Sequence, residues 1–313
     1  MALSDILKLK VNPRNVKQDI TLERIEKIKP VLKQYISFWR AYPDIFVETV
    51  LVRDNPEKFH LYFYQRLMLR AMMRCKHVYC TFPRAMGKSF MVVLISILRC
   101  ILYPRSHLFV STGGKDQAAS ITLEKAEELR KLIPGINYEL DMSRGKTKTS
   151  KADLVYEFKN NSKLDILAAS QRSRGARRTG GVIEECILID ADILNEVLIP
   201  TLNINRRLTD GSRDEEEPSN KSLMFVTTAG WKNSFAYSKC IETLVQQITE
   251  PGQAFCMGGS WRIPVMEKLI SKNFVQELRL SGTYNDASFA REYKISDLYS
   301  LNYRELLEPF RAA

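Results

Sequence analysis

Two periods of apolar and polar positions run along this chain, and the change between them falls near residues 60–65. Before it, "LERIEKIKPVLKQYISFWR" (22–40) repeats apolar residues at helical spacing and closes on Tyr35, Phe38 and Trp39. Pro30 is expected to break that helix. After about residue 76, short apolar runs alternate with helical stretches. "HVYCTF" (77–82), "HLFVST" (107–112), "ECILID" (185–190) and "SLMFVTT" (222–228) read as buried strands. "FMVVLISILRCILY" (90–103) is apolar all round, which predicts a buried helix, and "KDQAASITLEKAEELRKLI" (115–133) predicts an amphipathic one closed by Pro134-Gly135. "DLVYEF" (153–158) and "LDILAA" (164–169) predict a hairpin across "KNNSK", and "TDGSRDEEEPSN" (209–220) a charged, mobile loop without core residues.

Strands alternating with helices predict an α/β fold, a mostly parallel central sheet flanked by helices. Residues 1–60 form a helical N-terminal extension in this reading and 61–300 the α/β domain.

Charge narrows the partner class. The chain of 313 residues carries a net +11, a field that attracts polyanions, with nucleic acid first and an anionic membrane surface second. Six cysteines scattered through apolar runs, Cys75 to Cys256, suit reduced thiols better than a disulfide frame, and three histidines are too few for a zinc centre at Cys75, His77 and Cys80. "MALSDILKLK" lacks the apolar core of a signal peptide, and the longest apolar run, 91–98, is too short to span a bilayer. A soluble, intracellular protein is expected.

One stretch carries the chemistry. "TFPRAMGKSF" (81–90) follows a strand and opens a helix, and its Gly87-Lys88-Ser89 is the end of a phosphate-binding loop. The general pattern has glycine where Phe82 stands, and Arg84 sits inside the loop. In the loop Pro83-Arg84-Ala85-Met86-Gly87, the backbone N–H groups from Arg84 onward, leading into a helix N-terminus, make an anion cradle. Lys88 would reach the terminal phosphates of ATP, and the Ser89 hydroxyl would bind Mg²⁺. Asp190, ending its apolar run, is the expected metal carboxylate. The next position, where a glutamate commonly orients the attacking water, holds Ala191. Asp192 and Glu196 are substitutes within reach. Glu184 and Glu185 would lie roughly 16 Å off at the strand's far end. The base stays unassigned.

Three weaker signals surround this core. "RSRGARRTGG" (172–181) offers Arg174 and Arg177 as an arginine finger, in cis or toward a neighbouring subunit. Gln65, in "HLYFYQRLMLR" (60–70), is placed to read the adenine edge. "FVTTAG" (225–230) ends a strand in hydroxyls, with Thr228 positioned to sense the γ-phosphate. "TGGKD" (112–116) is dismissed, because Asp116 would repel phosphate.

Together these stretches resemble the ATPase domain of a terminase large subunit, the viral DNA-packaging motor of tailed phages, from about Tyr62 to Tyr293. The motifs that carry the likeness are Arg84 through Ser89, Tyr64-Gln65, "STGGKDQA" (111–118), "SRGARR" (173–178), "TTAG" (227–230) and "FAREY" (289–293). The resemblance implies an ASCE-type P-loop ATPase using ATP and Mg²⁺, with Arg84 serving the γ-phosphate. It implies double-stranded DNA, a portal protein and a small terminase subunit as partners. It also implies a homo-oligomeric ring, commonly a pentamer, at the procapsid in the host cytoplasm, the isolated domain being monomeric. Residues 301–313 would then begin a linker to a nuclease domain beyond the chain. Ala191 departs from the family pattern and marks a hydrolysis-deficient form in this reading. The alternatives are a non-hydrolysing, ATP-dependent DNA-binding assembly module, a helicase-like ATPase, and a small-molecule P-loop kinase.

Overall fold

The computed structural model describes residues 22–52, 59–208, 210–215, 217–230 and 234–280. "FAREY" and the segment 301–313 lie outside them. The described chain falls into two units divided between Phe38 and Trp39. Helix α1, Leu22–Ala41, runs on through Pro30 without interruption. The expected break does not occur; the proline removes one backbone donor on an exposed stretch and leaves the rest of the ladder intact.

The sheet-bearing unit follows in a regular alternation. Helix α2 (Phe63–Arg74) leads to strand β1 (His77–Thr81), helix α3 (Lys88–Leu102), β2 (His107–Ser111) and helix α4 (Lys115–Leu132). Then come β3 (Lys148–Ser150), β4 (Asp153–Glu157), β5 (Lys163–Ile166), β6 (Gly180–Glu184) and β7 (Ser222–Thr227). Helix α5 (Phe235–Thr249), β8 (Ala254–Gly258) and helix α6 (Lys272–Leu280) complete it. The eight strands lie in the order β3-β4-β5-β2-β6-β7-β1-β8. Only the β3–β4 and β4–β5 pairs are antiparallel. The sheet is thus mostly parallel, and β7 stands between β1 and β6.

Alternation along each strand builds two core layers, because successive side chains point to opposite faces. Val78, Cys80, Leu108, Val110, Val182, Met224 and Val226 face α2, α3 and α4. Tyr79, Phe109, Ile183, Leu223 and Phe225 face α5 and the short helical turns of 186–202. Helix α3 is buried from Met91 through Cys100, as its uniform apolarity predicts. Arg99 is the one cation in that stretch. It is fully buried and donates to the carbonyls of Met72 and Cys75 and to the Ser222 hydroxyl, so its charge ties α3 to α2 and to the start of β7.

One expected strand is absent. Residues 185–190 do not form one; the chain turns at Glu185, in the left-handed region at φ 49°, and winds a single 3₁₀ turn at Cys186–Leu188. Leu188 is 56% exposed, which no central strand allows. The strand is "GGVIE", five residues earlier. Its two glycines weaken the strand signal, yet the sheet requires them. A Cβ at Gly181 would lie 2.2 Å from Phe109 Cε1, and one at Gly180 2.6 Å from Ser222 Oγ. Strands β3 and β8, too short or too mixed to show a period, were not anticipated.

The acidic segment after Arg206 also departs from its expectation. Glu217 is buried and forms a two-pronged ion pair with Arg206, which also donates to the Pro104 carbonyl at 2.8 Å. Asn220 accepts from the Arg206 amide at 2.8 Å. The described part of this loop is pinned by polar anchors rather than by apolar ones.

Candidate active site

Strand β1 ends at Thr81, and the next six residues carry the chain to the head of α3. Phe82 extends the ladder by donating its amide to Thr227 O at 3.0 Å. It is buried and packs 5.9 Å, ring to ring, from Tyr64, so the position of the general pattern's first glycine serves here as a core anchor. Ala85 and Gly87 then adopt left-handed conformations, each at φ 64°, turning successive amides inward. Tyr64 Oη donates to the Met86 carbonyl at 3.0 Å and fixes the loop to α2, while burial raises the Tyr64 phenol well above its ordinary value. Gly87 is needed for closeness as well as for its φ. A Cβ there would lie 3.3 Å from Gln65 Nε2. Gln65 itself is buried and caps α2, its Oε1 accepting from the Tyr62 amide at 3.1 Å.

Lys88 and Ser89 face β6. The Lys88 ammonium folds back over the loop, donating to the carbonyls of Phe82 (3.3 Å) and Pro83 (3.1 Å), and stands 3.9 Å from Glu185 Oε1. The Ser89 hydroxyl donates to Glu184 Oε1 at the end of β6. Glu184 is buried, and its second oxygen has no hydrogen-bond partner among the described residues. Burial pushes its carboxyl above the ordinary range; the Ser89 hydrogen bond opposes this, Glu185 adds to it and Lys88 opposes it. An orphaned carboxylate oxygen beside a serine hydroxyl is a polar deficit that a small, hard divalent cation satisfies. Ser89 and Glu184 therefore fit such an ion.

Glu185 is held differently. Its left-handed backbone is a strained state for a side-chain-bearing residue, of the kind that clusters at functional sites. Its amide donates to Val226 O at 2.9 Å. Its Oε2 accepts from Thr228 Oγ1 (3.0 Å), the Thr228 amide (3.2 Å) and Thr227 Oγ1 (3.3 Å). Glu185 thus spans from Lys88 to the hydroxyls that end β7.

Lys88, Ser89, Glu185 and Thr228 open on one cavity of about 990 Å³, with Glu184 buried behind Ser89. Arg84, Ala85, Met86, Gly87, Lys88 and Ser89 form its floor, Gln65, Tyr62 and Phe59 one wall, and Glu185 and Thr228 another. Helix α4 adds Gln117, Lys125 and Glu128. Pro83 takes part through its carbonyl alone.

Three expected site residues lie elsewhere. Asp190 does not end a strand. It caps the short helix 191–193, its Oδ1 accepting from the amides of Asp192 (2.9 Å) and Ile193 (3.1 Å), and it does not line the cavity. Ala191 begins that short helix. Arg174 pairs with Glu196 at 3.0 Å and lines a second cavity, and Arg177 is exposed on the same loop. Glu184 and Glu185, set aside on distance when the strand is placed at 185–190, are the carboxylates that meet Ser89 and Lys88. Two consecutive carboxylates directly after "GGVI" were the available signal, hidden by placing the strand one turn too late.

The fold is similar to that of solved phage terminases. With the large terminase of bacteriophage HK97 the TM-score is 0.60 at 11% identity, over 81% of this chain and 54% of that one. With the large terminase ATPase domain of Thermus phage P74-26 it is 0.53 at 16% identity, over 75% and 93%. The chain spans about half the length of the HK97 protein and nearly all of the P74-26 domain. At these identities the likeness is one of fold. No protein-family model and no curated protein matches the sequence.

Proposed function

We propose that this chain is the ATPase portion of a terminase large subunit, coupling ATP hydrolysis to the translocation of double-stranded DNA into a procapsid. The observation that carries the reading is the meeting of Lys88 and Ser89 with Glu185, on the wall of one cavity, and with Glu184, buried just behind it, on a terminase-like sheet. The bounds 1–60 for the extension, 61–300 for the motor domain and 301–313 for a linker belong to the same proposal.

In this reading the triphosphate of ATP lies in the nest of amides from Arg84 to Ser89, at the head of α3. Lys88 gives up its loop carbonyls for the terminal phosphates, and Arg84, lining the same cavity, serves the γ-phosphate. Ser89 and Glu184 hold Mg²⁺, which supplies charge neutralisation on the phosphates when bound. Asp190 is withdrawn from that role. Glu185 is the group that orients water and accepts its proton, within reach of Lys88 and released or retained by Thr228. Ala191 then carries no catalytic weight, and the non-hydrolysing module loses the feature that suggested it. Gln65 and Tyr62 wall the part of the cavity that suits a nucleobase. Arg174 and Arg177 do not line this cavity, which favours a finger acting on a neighbouring subunit in a ring, with five copies the number that family likeness suggests. Portal and small-subunit partners, and the host cytoplasm, follow from the same likeness.

The test is steady-state ATP turnover, with and without duplex DNA, of the chain beside Lys88→Ala, Glu185→Gln and Ala191→Glu. Hydrolysis lost in the first two and unchanged in the third supports the reading. Turnover that survives Glu185→Gln and rises sharply with Ala191→Glu overturns the assignment of the base. A chain that binds ATP with DNA present and never hydrolyses it returns the assembly module.

A further inference from the structure

A second cavity, about 600 Å³, opens at the same end of the sheet and is not used by the nucleotide site. Gly113 and Lys115 line it beyond β2, residues 166–170 beyond β5, and Arg172 and Arg174 from the loop before β6. Lys115 Nζ donates to the Ala152 carbonyl at 2.9 Å, which joins the cavity's rim to the turn between β3 and β4. Because β4 is antiparallel to β5, that turn lies at the strand ends where β5 finishes. Its second arm, β4, is the immediate neighbour of β5, about 5 Å away.

Both flanks of the cavity are basic and lack acids. "SRGKTKTSK" (143–151) has four cations and no carboxylate, and so has "QRSRGARR" (171–178). Several of these charges are already matched: Lys146 by Glu157, Lys148 by Asp153, Arg174 by Glu196, and Arg178 by Asp165. Among the described residues, Arg144, Lys151, Arg172 and Arg177 have no ion pair, and all four are exposed; of these Arg172 lines the cavity and Lys151 adjoins Ala152 on its rim. Among the described residues no aromatic side chain lines the cavity, so these offer no ring for an unpaired base to stack on. Cations without stacking partners suit the phosphate backbone of a duplex, which presents one charge per ~1.7 Å of axis.

A direct contact links this cavity to the nucleotide. Ile187 and Leu188, just after Glu185, line the nucleotide cavity. Leu188 lies so close to Gly113 that a Cβ there would be 2.9 Å from Leu188 Cβ. One wall therefore serves both cavities.

We propose that the β3–β4 turn and the loop 171–178, with the cavity between them, dock the phosphate backbone of duplex DNA. Lys151 and Arg172 are the unmatched cations nearest the cavity, and the Leu188–Gly113 contact couples the grip to the state of Glu185. The proposal rests on the motor reading and names where that motor holds its DNA.

The test is fluorescence anisotropy of a labelled random-sequence duplex against the full chain, titrated with salt. The double variant Lys151→Gln with Arg172→Gln is expected to flatten the slope of log K against log salt by about 2, near 0.9 per lost phosphate contact. ATP affinity should stay unchanged. The control, Lys131→Gln with Arg207→Gln, removes the same charge from other exposed positions and should keep the wild-type slope. Wild-type binding with both double variants alike overturns this surface and leaves the motor standing. Wild type that binds no duplex at low salt overturns both. Equal affinity for single-stranded DNA of the same length overturns the commitment to a duplex. Leu188→Ala is expected to abolish any difference in DNA affinity between ATP-bound and free protein; a preserved difference overturns the coupling.

Discussion

Ser89 and Glu184, 95 residues apart in the chain, are hydrogen-bonded across the gap between α3 and β6. The bond brings the helix that follows the phosphate loop onto a carboxylate whose other oxygen is buried without a partner. Such an oxygen is costly when ionised and unmatched, and burial accordingly holds the Glu184 carboxyl above the usual 4.5.

A linkage follows with a definite sign. Folded protein binds a proton at Glu184 that unfolded chain has already released, so stability declines as pH rises from 4.5 toward the folded value. Glu184→Gln removes that decline. Thermal unfolding in the absence of metal, scanned from pH 4 upward, should show a variant at least as stable as wild type at pH 7 and flatter below it. The same variant should fail to hydrolyse Mg·ATP. A variant that matches wild type in its pH profile would show that Glu184 carries no burial penalty.

Glu185 and Thr228 form the second relationship. The carboxylate takes two hydrogen bonds from Thr228 and one from Thr227, and it lies 3.9 Å from Lys88. Loss of a positioned base commonly costs ~10²–10⁴ in rate, and Glu185→Gln is expected within that range in kcat, with little change in ATP affinity. Thr228→Val keeps the shape of the threonine and removes its hydroxyl. It should lower the stimulation of turnover by duplex DNA more than the basal rate. Equal loss of both would assign Thr228 to structure alone.

The arginines call for a mixing experiment. Arg174 and Arg177 sit on the second cavity's loop, and neither lines the cavity that holds Lys88. Arginine fingers are worth ~10³–10⁵ in rate, so Arg174→Ala or Arg177→Ala should be nearly silent if that residue is the finger. Mixed with Lys88→Ala protein at concentrations that favour assembly, the finger variant should regain part of the activity. Each Lys88→Ala subunit then lends its arginine to a neighbour's intact site. A mixture no more active than its parts would place the finger elsewhere.

Much of this architecture is legible in the sequence, and the departures around the acidic half of the site share a cause. Helices α3 and α4 and strands β1, β2, β4, β5 and β7 announce themselves by uniform apolarity or clean alternation. The phosphate loop is visible because Gly87-Lys88-Ser89 needs both a strand before it and a helix after it. The acidic half of the site is harder. "ECILID" looks more like a strand than "GGVIE" does, because propensity penalises glycine. Only the three-dimensional squeeze against Phe109 and Ser222 reveals why glycine is needed there. Placing the strand at 185–190 puts Asp190 at its end and Ala191 at the following position, whereas β6 ends on Glu184. Local pattern contains no term for a neighbour 72 residues away.

That squeeze is itself testable. Gly181 lies in β6 between β2 and β7, and its φ is not in the left-handed region, so alanine meets no backbone objection. The obstacle is Phe109, whose ring carbon would sit 2.2 Å from the new Cβ. Phe109 is fully buried and has no open side to move into. Overpacking a closed core costs ~1–3 kcal/mol, and Gly181→Ala is expected to lose that much stability in urea unfolding. Phe109→Leu alone should also destabilise, by the cavity it leaves. The double variant should be less unstable than the sum of the two, by at least ~0.5 kcal/mol, since leucine vacates the space the methyl group needs. Strict additivity would mean the strand relaxes by a backbone shift, and the close approach would then not explain why glycine occupies the middle of the sheet.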